Sequence, residues 1–241
     1  IPIAEESGLI LATRGGKLLS GDECAGFDAM REAVEKDPGL FLKIVRDAGM
    51  RLTLDRLAAA RAALGFGDLV RAPHPRLRIG YLSWDFHQHA TSYLMAELFE
   101  LHDRDHFEIF AYSFGPDDGS PIRARIRAAS EHFVDVSGES YSETARRIRG
   151  DGIDILVDLK GYTMGSRPQI LALRPAPVQV NWLGFPGSLG TACVDYIIAD
   201  PFIIPEGAER HYSERVVRLP DCYQVNDRKR IVAATPSRED L

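Results

Sequence analysis

At 241 residues the chain is long enough to bury a substantial core as one large domain or two small ones. Its 45% apolar and 27% charged residues are ordinary for a globular protein, and a net charge of −6 argues against a general nucleic-acid binder, whose domain is usually basic. Three scattered cysteines (Cys24, Cys193, Cys222) without C-x-x-C spacing argue against a disulfide framework or a zinc site, and no apolar run approaches the roughly 18 residues needed to span a bilayer. Free thiols fit a reducing, cytoplasmic compartment. The chain opens on Ile1 without a signal-type stretch, which reads as a fragment or a processed product.

Residues 1–73 read as a mainly helical segment ending in a linker. Short apolar runs around Gly15-Gly16 predict a hairpin or an irregular strand pair. Ser20 and Glu23 fit a capping box, followed by Phe27, Met30 and Val34 at helical spacing. Asp37-Pro38 restarts a helix lined by Leu40, Phe41, Ile44, Val45 and Ala48, and a third helix spans about 53–64. Ala72-Pro73-His74-Pro75 is a stiff extended linker, because each proline biases the residue before it away from helix.

From Leu77 strand and helix signals alternate, which predicts an α/β, Rossmann-like, mostly parallel sheet over residues 74–241. Leu77, Ile79 and Tyr81 open a buried strand, and Tyr93, Leu94, Leu98 and Leu101 mark the stripe of the helix after it. A second strand covers 107–114. A helix over 121–130 turns Ile122 and Ile126 inward and Arg123, Arg125 and Arg127 outward. Further strands are expected at 132–136, 153–159, 178–183, 194–199 and 215–219, with helices at 143–149 and 169–173.

The first strand runs into Asp85-Phe86-His87-Gln88-His89-Ala90-Thr91. Open α/β sheets bind ligands at the carboxyl ends of their strands, so the chemistry is expected here. Three readings fit. The residues are a polar loop; or His87 and His89 begin a metal site; or His89 and Asp85 do acid–base or charge-stabilising work. The metal reading lacks partners, because His74, His102, His106, His132 and His211 do not recur at later strand ends. A histidine opening a helix keeps its neutral form near neutral pH, since the positive helix end disfavours the imidazolium. The glycine-rich run Leu183-Gly184-Phe185-Pro186-Gly187, and Lys160-Gly161-Tyr162-Thr163-Met164-Gly165, also follow strands and are expected to line the same edge, although Gly and Pro mark plain turns as well. No dinucleotide or P-loop phosphate motif occurs.

Several ordered motifs go further. They are Arg78-Ile79-Gly80-Tyr81 leading to Asp85-Phe86 and His89-Ala90-Thr91-Ser92; Pro116-Asp117-Asp118-Gly119; residues 152–159 with Gly161-Tyr162-Thr163; Leu173-Arg174-Pro175-Ala176-Pro177 running to Asn181-Trp182-Leu183-Gly184-Phe185-Pro186-Gly187; and Asp195-Tyr196 to Asp200 with Tyr212-Ser213-Glu214. Together they resemble the O-linked N-acetylglucosamine transferase/SPINDLY family, glycosyltransferase family 41. The resemblance implies the N-terminal half of a GT-B enzyme, in which two Rossmann-like halves face each other. It implies inverting, metal-independent transfer of N-acetylglucosamine from UDP-GlcNAc to Ser or Thr of acceptor proteins. Catalytic roles fall on His89 and Asp85, with Thr91, Leu183, Gly184 and Pro186 bordering the sugar. No metal, membrane or nucleic acid takes part.

Two departures stand out. Ala90 replaces the usual proline, and the family's further histidine just before the first strand has no counterpart in residues 1–73, which contain none. The resemblance places the donor half beyond Leu241, so residues 1–241 alone are expected to be inactive. SPINDLY-like transfer of fucose, or a non-catalytic interaction domain that keeps the fold, are the alternatives.

Overall fold

A computed structural model describes residues 13–14, 17–18, 50–51, 53–69 and 74–230. The helices expected between residues 20 and 49 and the first half of the proline linker lie outside these. The chain divides into two compact units, residues 1–52 and 53–241. In the first, Thr13–Arg14 (β1) pairs antiparallel with Lys17–Leu18 (β2), Thr13 opposite Leu18, which is the strand pair expected there.

The second unit opens with a helical stretch over residues 53–60. Its Leu54 and the nearby Phe66 are fully buried, and Arg149 donates to Gly67 O at 2.8 Å. A seven-stranded sheet follows. Its strands are Leu77–Ser83 (β3), Phe107–Ser113 (β4), His132–Asp135 (β5), Ile155–Asp158 (β6), Val178–Asn181 (β7), Tyr196–Ala199 (β8) and Arg215–Arg218 (β9). Their order is β5-β4-β3-β6-β7-β8-β9, and every pairing is parallel. The helices Ala90–Leu101 (α1), Pro121–Ala129 (α2), Tyr141–Gly150 (α3) and Pro168–Ala172 (α4) supply crossovers. The α/β, Rossmann-like expectation holds. Tyr81, Leu82, Leu156 and Val157 are all buried, as the central strands of a sheet covered on both faces require.

Local chemistry sets the helix starts. Ser120 caps α2 ahead of Pro121, whose missing N–H costs nothing at that position. Ser140 and Glu143 close a reciprocal capping box on α3.

Two expectations need correction. On α1 the buried residues are Thr91, Ser92, Met95, Ala96, Glu97 and Phe99; of the expected stripe Leu94 and Leu98 pack against the core, while Tyr93 and Leu101 are exposed. The true stripe begins with two hydroxyl residues, because Ser92 Oγ donates to Asp85 O at 2.6 Å and Thr91 Oγ1 approaches Asp85 Oδ2 at 3.4 Å. Of the three arginines expected outward on α2, only Arg127 is exposed. Arg123 is only 2% exposed, and Arg125 is clamped between Glu100 and Asp227.

The chain enters the sheet at β3, fills one side through β4 and β5, then crosses back to β6 on the other side. The strand order therefore reverses between β3 and β6, and open α/β sheets bind ligands outside the carboxyl ends at such a point.

Candidate active site

The residues after β3, β6 and β7 meet at this carboxyl edge. After β3, Trp84 and the buried Asp85 lead into the turn that starts α1. Ser83 Oγ accepts the Asp85 N–H at 2.9 Å, and Gln88 N donates to Asp118 Oδ2 at 2.7 Å. The Pro116-Asp117-Asp118-Gly119 turn thus holds the site loop from beside it.

His89 is the N-cap of α1. Its Nδ1 accepts the Thr91 N–H at 3.2 Å and lies 3.6 Å from Asp85 Oδ2. Histidine is not among the usual caps, but here the ring nitrogen does what a cap oxygen does. The His89 side chain is 42% exposed. Burial holds its pKa below the ordinary value; Asp85 pulls the other way, and Lys160 and His87 add to the lowering.

Lys160, the second residue past β6, reaches under the loop. Its Nζ lies 2.8 Å from both carboxylate oxygens of Asp85, and both side chains are almost fully buried. This ion pair ties the two strands between which the sheet order reverses. Below it Asp158 accepts the N–H groups of Gly161 at 2.8 Å and Lys160 at 3.3 Å. Burial pushes the Asp158 carboxyl up to about 7, against those two amides and the Lys160 ammonium.

Beyond β7 the backbone is strained. Gly184 N donates to Trp182 O at 2.9 Å across Leu183, whose φ is 72°. That is a γ-turn with a leucine at its centre, a conformation costing on the order of 1–3 kcal/mol and found mostly at functional sites. Asn181 Nδ2 braces the loop through Phe185 O and Gly187 O, while Glu214 accepts from Leu189 N and Ser188 Oγ. Phe185 packs on Gly161, where a Cβ would come within 2.5 Å of it, and Gly165 lies against the Trp84 ring. The three loops are side by side.

Gly184 approaches the end of β6 so closely that an added Cβ would stand 2.1 Å from Leu159 O. Gly184→Ala should therefore shift the loop and cost about 1–3 kcal/mol of stability, as overpacking does. Gly150→Ala, at the end of α3 with nothing within 4 Å, should be neutral or slightly stabilising. Urea unfolding of the two variants checks the contrast.

Of the residues expected at the site, Asp85, His89 and Thr91 share one cluster, and Leu183, Gly184 and Pro186 lie two strands away on the same edge. Thr91 and Leu183 are largely buried, and Pro186 is exposed. His87 does not join the cluster around Asp85. Its ring stands edge-on to Trp84 at 5.0 Å, and its Nε2 is buried without a hydrogen-bond partner. His74 lies at the opposite edge, against Asp154. The roles of Lys160 and Asp158 were not read from the sequence; the signal was an Asp-Leu-Lys-Gly run ending an apolar strand. Among the described residues no group of three or more His, Cys, Asp or Glu is placed to hold a metal ion.

Residues 42–239 match the model of glycosyl transferase family 41. The chain belongs to glycosyltransferase family 41. It is 46% identical over 154 residues to the probable UDP-N-acetylglucosamine–peptide N-acetylglucosaminyltransferase SEC of Arabidopsis thaliana, covering 64% of this chain and 16% of the relative. Identity is 42% over 153 residues to the Caenorhabditis elegans UDP-N-acetylglucosamine–peptide N-acetylglucosaminyltransferase, covering 63% of this chain and 13% of that protein. It is 36% over 159 residues to the Arabidopsis SPINDLY protein, covering 65% and 17%. The chain thus spans about a sixth of the length of these family 41 relatives. A solved mutant O-GlcNAc transferase of Thermobaculum terrenum superposes with a TM-score of 0.60 at 29% identity, over 83% of this chain and 41% of that one. No helix among the described residues is long and apolar enough to cross a membrane.

Proposed function

We propose that the protein is an inverting protein O-glycosyltransferase moving N-acetylglucosamine from UDP-GlcNAc to Ser or Thr hydroxyls of acceptor proteins. On this reading residues 77–230 supply the acceptor-side half of the site. The observation that carries it is the convergence of Asp85, His89 and the strained Leu183–Gly184 turn on the edge where the strand order reverses, in a family 41 chain. The same proposal includes no metal cofactor and a cytoplasmic setting, in keeping with Cys193 and Cys222 as free thiols.

In such a transfer the acceptor oxygen attacks the anomeric carbon as the bond to the diphosphate breaks. The hydroxyl proton must leave, and negative charge grows on the departing oxygen. His89 suits the second need. With Nδ1 accepting the Thr91 N–H, the neutral ring carries its proton on Nε2, which has no partner among the described residues. It is a donor for an oxygen of the sugar or the diphosphate. The N-terminus of α1, a helix of twelve residues, adds partial positive charge at the same place. The proton acceptor is a separate group.

Incubating the gene's purified product with UDP-[³H]GlcNAc and acceptor proteins tests this. Label released from Ser and Thr by alkaline β-elimination is the expected result. Label only from a fucose nucleotide would favour the SPINDLY-like alternative, and label from neither donor would favour a non-catalytic domain. The names of the SEC, Caenorhabditis elegans and SPINDLY relatives alike give UDP-N-acetylglucosamine as donor, which supports N-acetylglucosamine.

A further inference from the structure

Among the described residues, the buried Asp85–Lys160 pair has a half-exposed imidazole directly beside it. A carboxylate 3.6 Å from a histidine nitrogen ordinarily draws a proton onto that nitrogen, or holds the whole ring as imidazolium. His89 Nδ1 does not behave so: it accepts the Thr91 amide, which requires a free lone pair there. Lys160 explains the difference. Its ammonium contacts both carboxylate oxygens at 2.8 Å, in a pocket where neither partner reaches water. The charge of Asp85 is taken up from below before it acts on the ring above.

We propose that Lys160 is a positioning residue which, by occupying both oxygens of Asp85, keeps His89 Nδ1 a hydrogen-bond acceptor and its proton on Nε2. The proposal deepens the reading of His89 as a donor toward substrate oxygen and rests on it. The charged and titratable groups around the ring are few. Asp85 and Lys160 lie on one side and His87 on the other, its ring 5.7 Å away. Behind these stand Asp158, beneath Lys160, and Asp118, which holds the Gln88 amide. Asp85 and Lys160 act on the ring in opposite directions, so removing either member should expose the other. Their positions also explain why a lysine is placed two residues past β6. From there its side chain crosses the point where the strand order reverses to meet a carboxylate that follows β3.

The test is a pH titration of the His89 side chain by ¹⁵N–¹H NMR in the intact protein, with His89→Ala used to assign the signals. The nitrogen shifts report both tautomer and midpoint. In the wild type the neutral ring should be the Nε2–H form. Lys160→Met should raise the midpoint by about half a unit to one unit, the size expected of an uncovered neighbouring carboxylate at a half-exposed ring. It should also move tautomer population toward Nδ1–H. Asp85→Asn should lower the midpoint, because the ammonium then acts alone, and the double variant should return close to wild type. In Asp85→Asn the Lys160 ammonium keeps the Asp158 carboxyl as a neighbour, and the double variant leaves neither member of the pair alone, so these two remain readable if Lys160→Met alone does not fold. Unchanged midpoint and tautomer in any folded single variant would overturn the proposal. The titration does not depend on sugar transfer, so a protein without transferase activity would sink the functional reading and leave this coupling to be decided separately.

Discussion

In the complete enzyme, replacing His89 by Ala should lower turnover by at least about a hundredfold, the low end for a positioned acid–base or hydrogen-bonding group. The ring caps α1 and stands beside Asp85, and in the proposed reaction its Nε2 donates to a substrate oxygen. Losing the cap alone would cost about 1 kcal/mol of stability and little turnover, so a large fall in kcat separates the two roles. His87→Ala should matter much less, since that ring packs edge-on against Trp84 and stays out of the cluster. Asp85→Asn should fall between, because it unpairs Lys160 and loosens the loop without removing a reacting group. A metal site forecasts the opposite, with both histidines equally essential and activity lost to chelation. Turnover of the three variants, with and without EDTA, decides. Equal loss for His87→Ala and His89→Ala together with EDTA sensitivity of the wild type would refute the assignment.

How much of this was legible in the sequence depends on the range of the interactions. Strand positions and sheet type followed from local pattern: apolar runs such as Ile155-Leu156-Val157, separated by short helices, leave few options besides a covered parallel sheet. The loops after β3 and β7 could be named as a shared edge because glycines, histidines and a carboxylate cluster right after strands. The start of α3 at Tyr141 was also within reach, since Ser140 and Glu143 carry the capping-box spacing.

What escaped was long-range. Lys160 lies 75 residues from Asp85, and no spacing rule announces such a pair. The stripe of α1 was misread because Thr91 and Ser92 are polar, and their burial is bought by hydrogen bonds to Asp85 that only the fold reveals. Many motif residues that carry the family likeness turn out to be braces for the site. Asp118, Asn181 and Glu214 hold the two loops, and Asp200 accepts the amides of Phe202, Ile203 and Tyr223. A family resemblance read from motifs is thus largely a resemblance of loop geometry.

Arg123 shows the same limit on the side of stability, and it yields the largest expected loss of fold. On periodicity it is one of three outward arginines of α2. In the structure its Nη1 donates to Phe86 O at 2.7 Å and to Ser113 Oγ at 2.9 Å. It thereby ties α2 both to the end of β4 and to the loop that carries Asp85 and His89. Its Nε pairs electrostatically with Asp117 at 3.0 Å, and the guanidinium stands over the Phe133 ring at 5.0 Å. Arg123→Met keeps most of the buried stem but orphans the Phe86 carbonyl and the Ser113 hydroxyl. Each unsatisfied buried group costs about 1–3 kcal/mol, and since Asp117 is half exposed and can rehydrate, a total near 3 kcal/mol is expected. For a chain of this size that lowers Tm by about 6–12 °C. Arg127→Met, four residues on, removes an exposed guanidinium 3.8 Å from the same Asp117 and should change Tm by no more than about 2 °C. Calorimetric scans of the two variants beside the wild type measure the difference. Equal shifts would mean that Arg123 contributes only a surface charge, and that the loop bearing His89 is held without it.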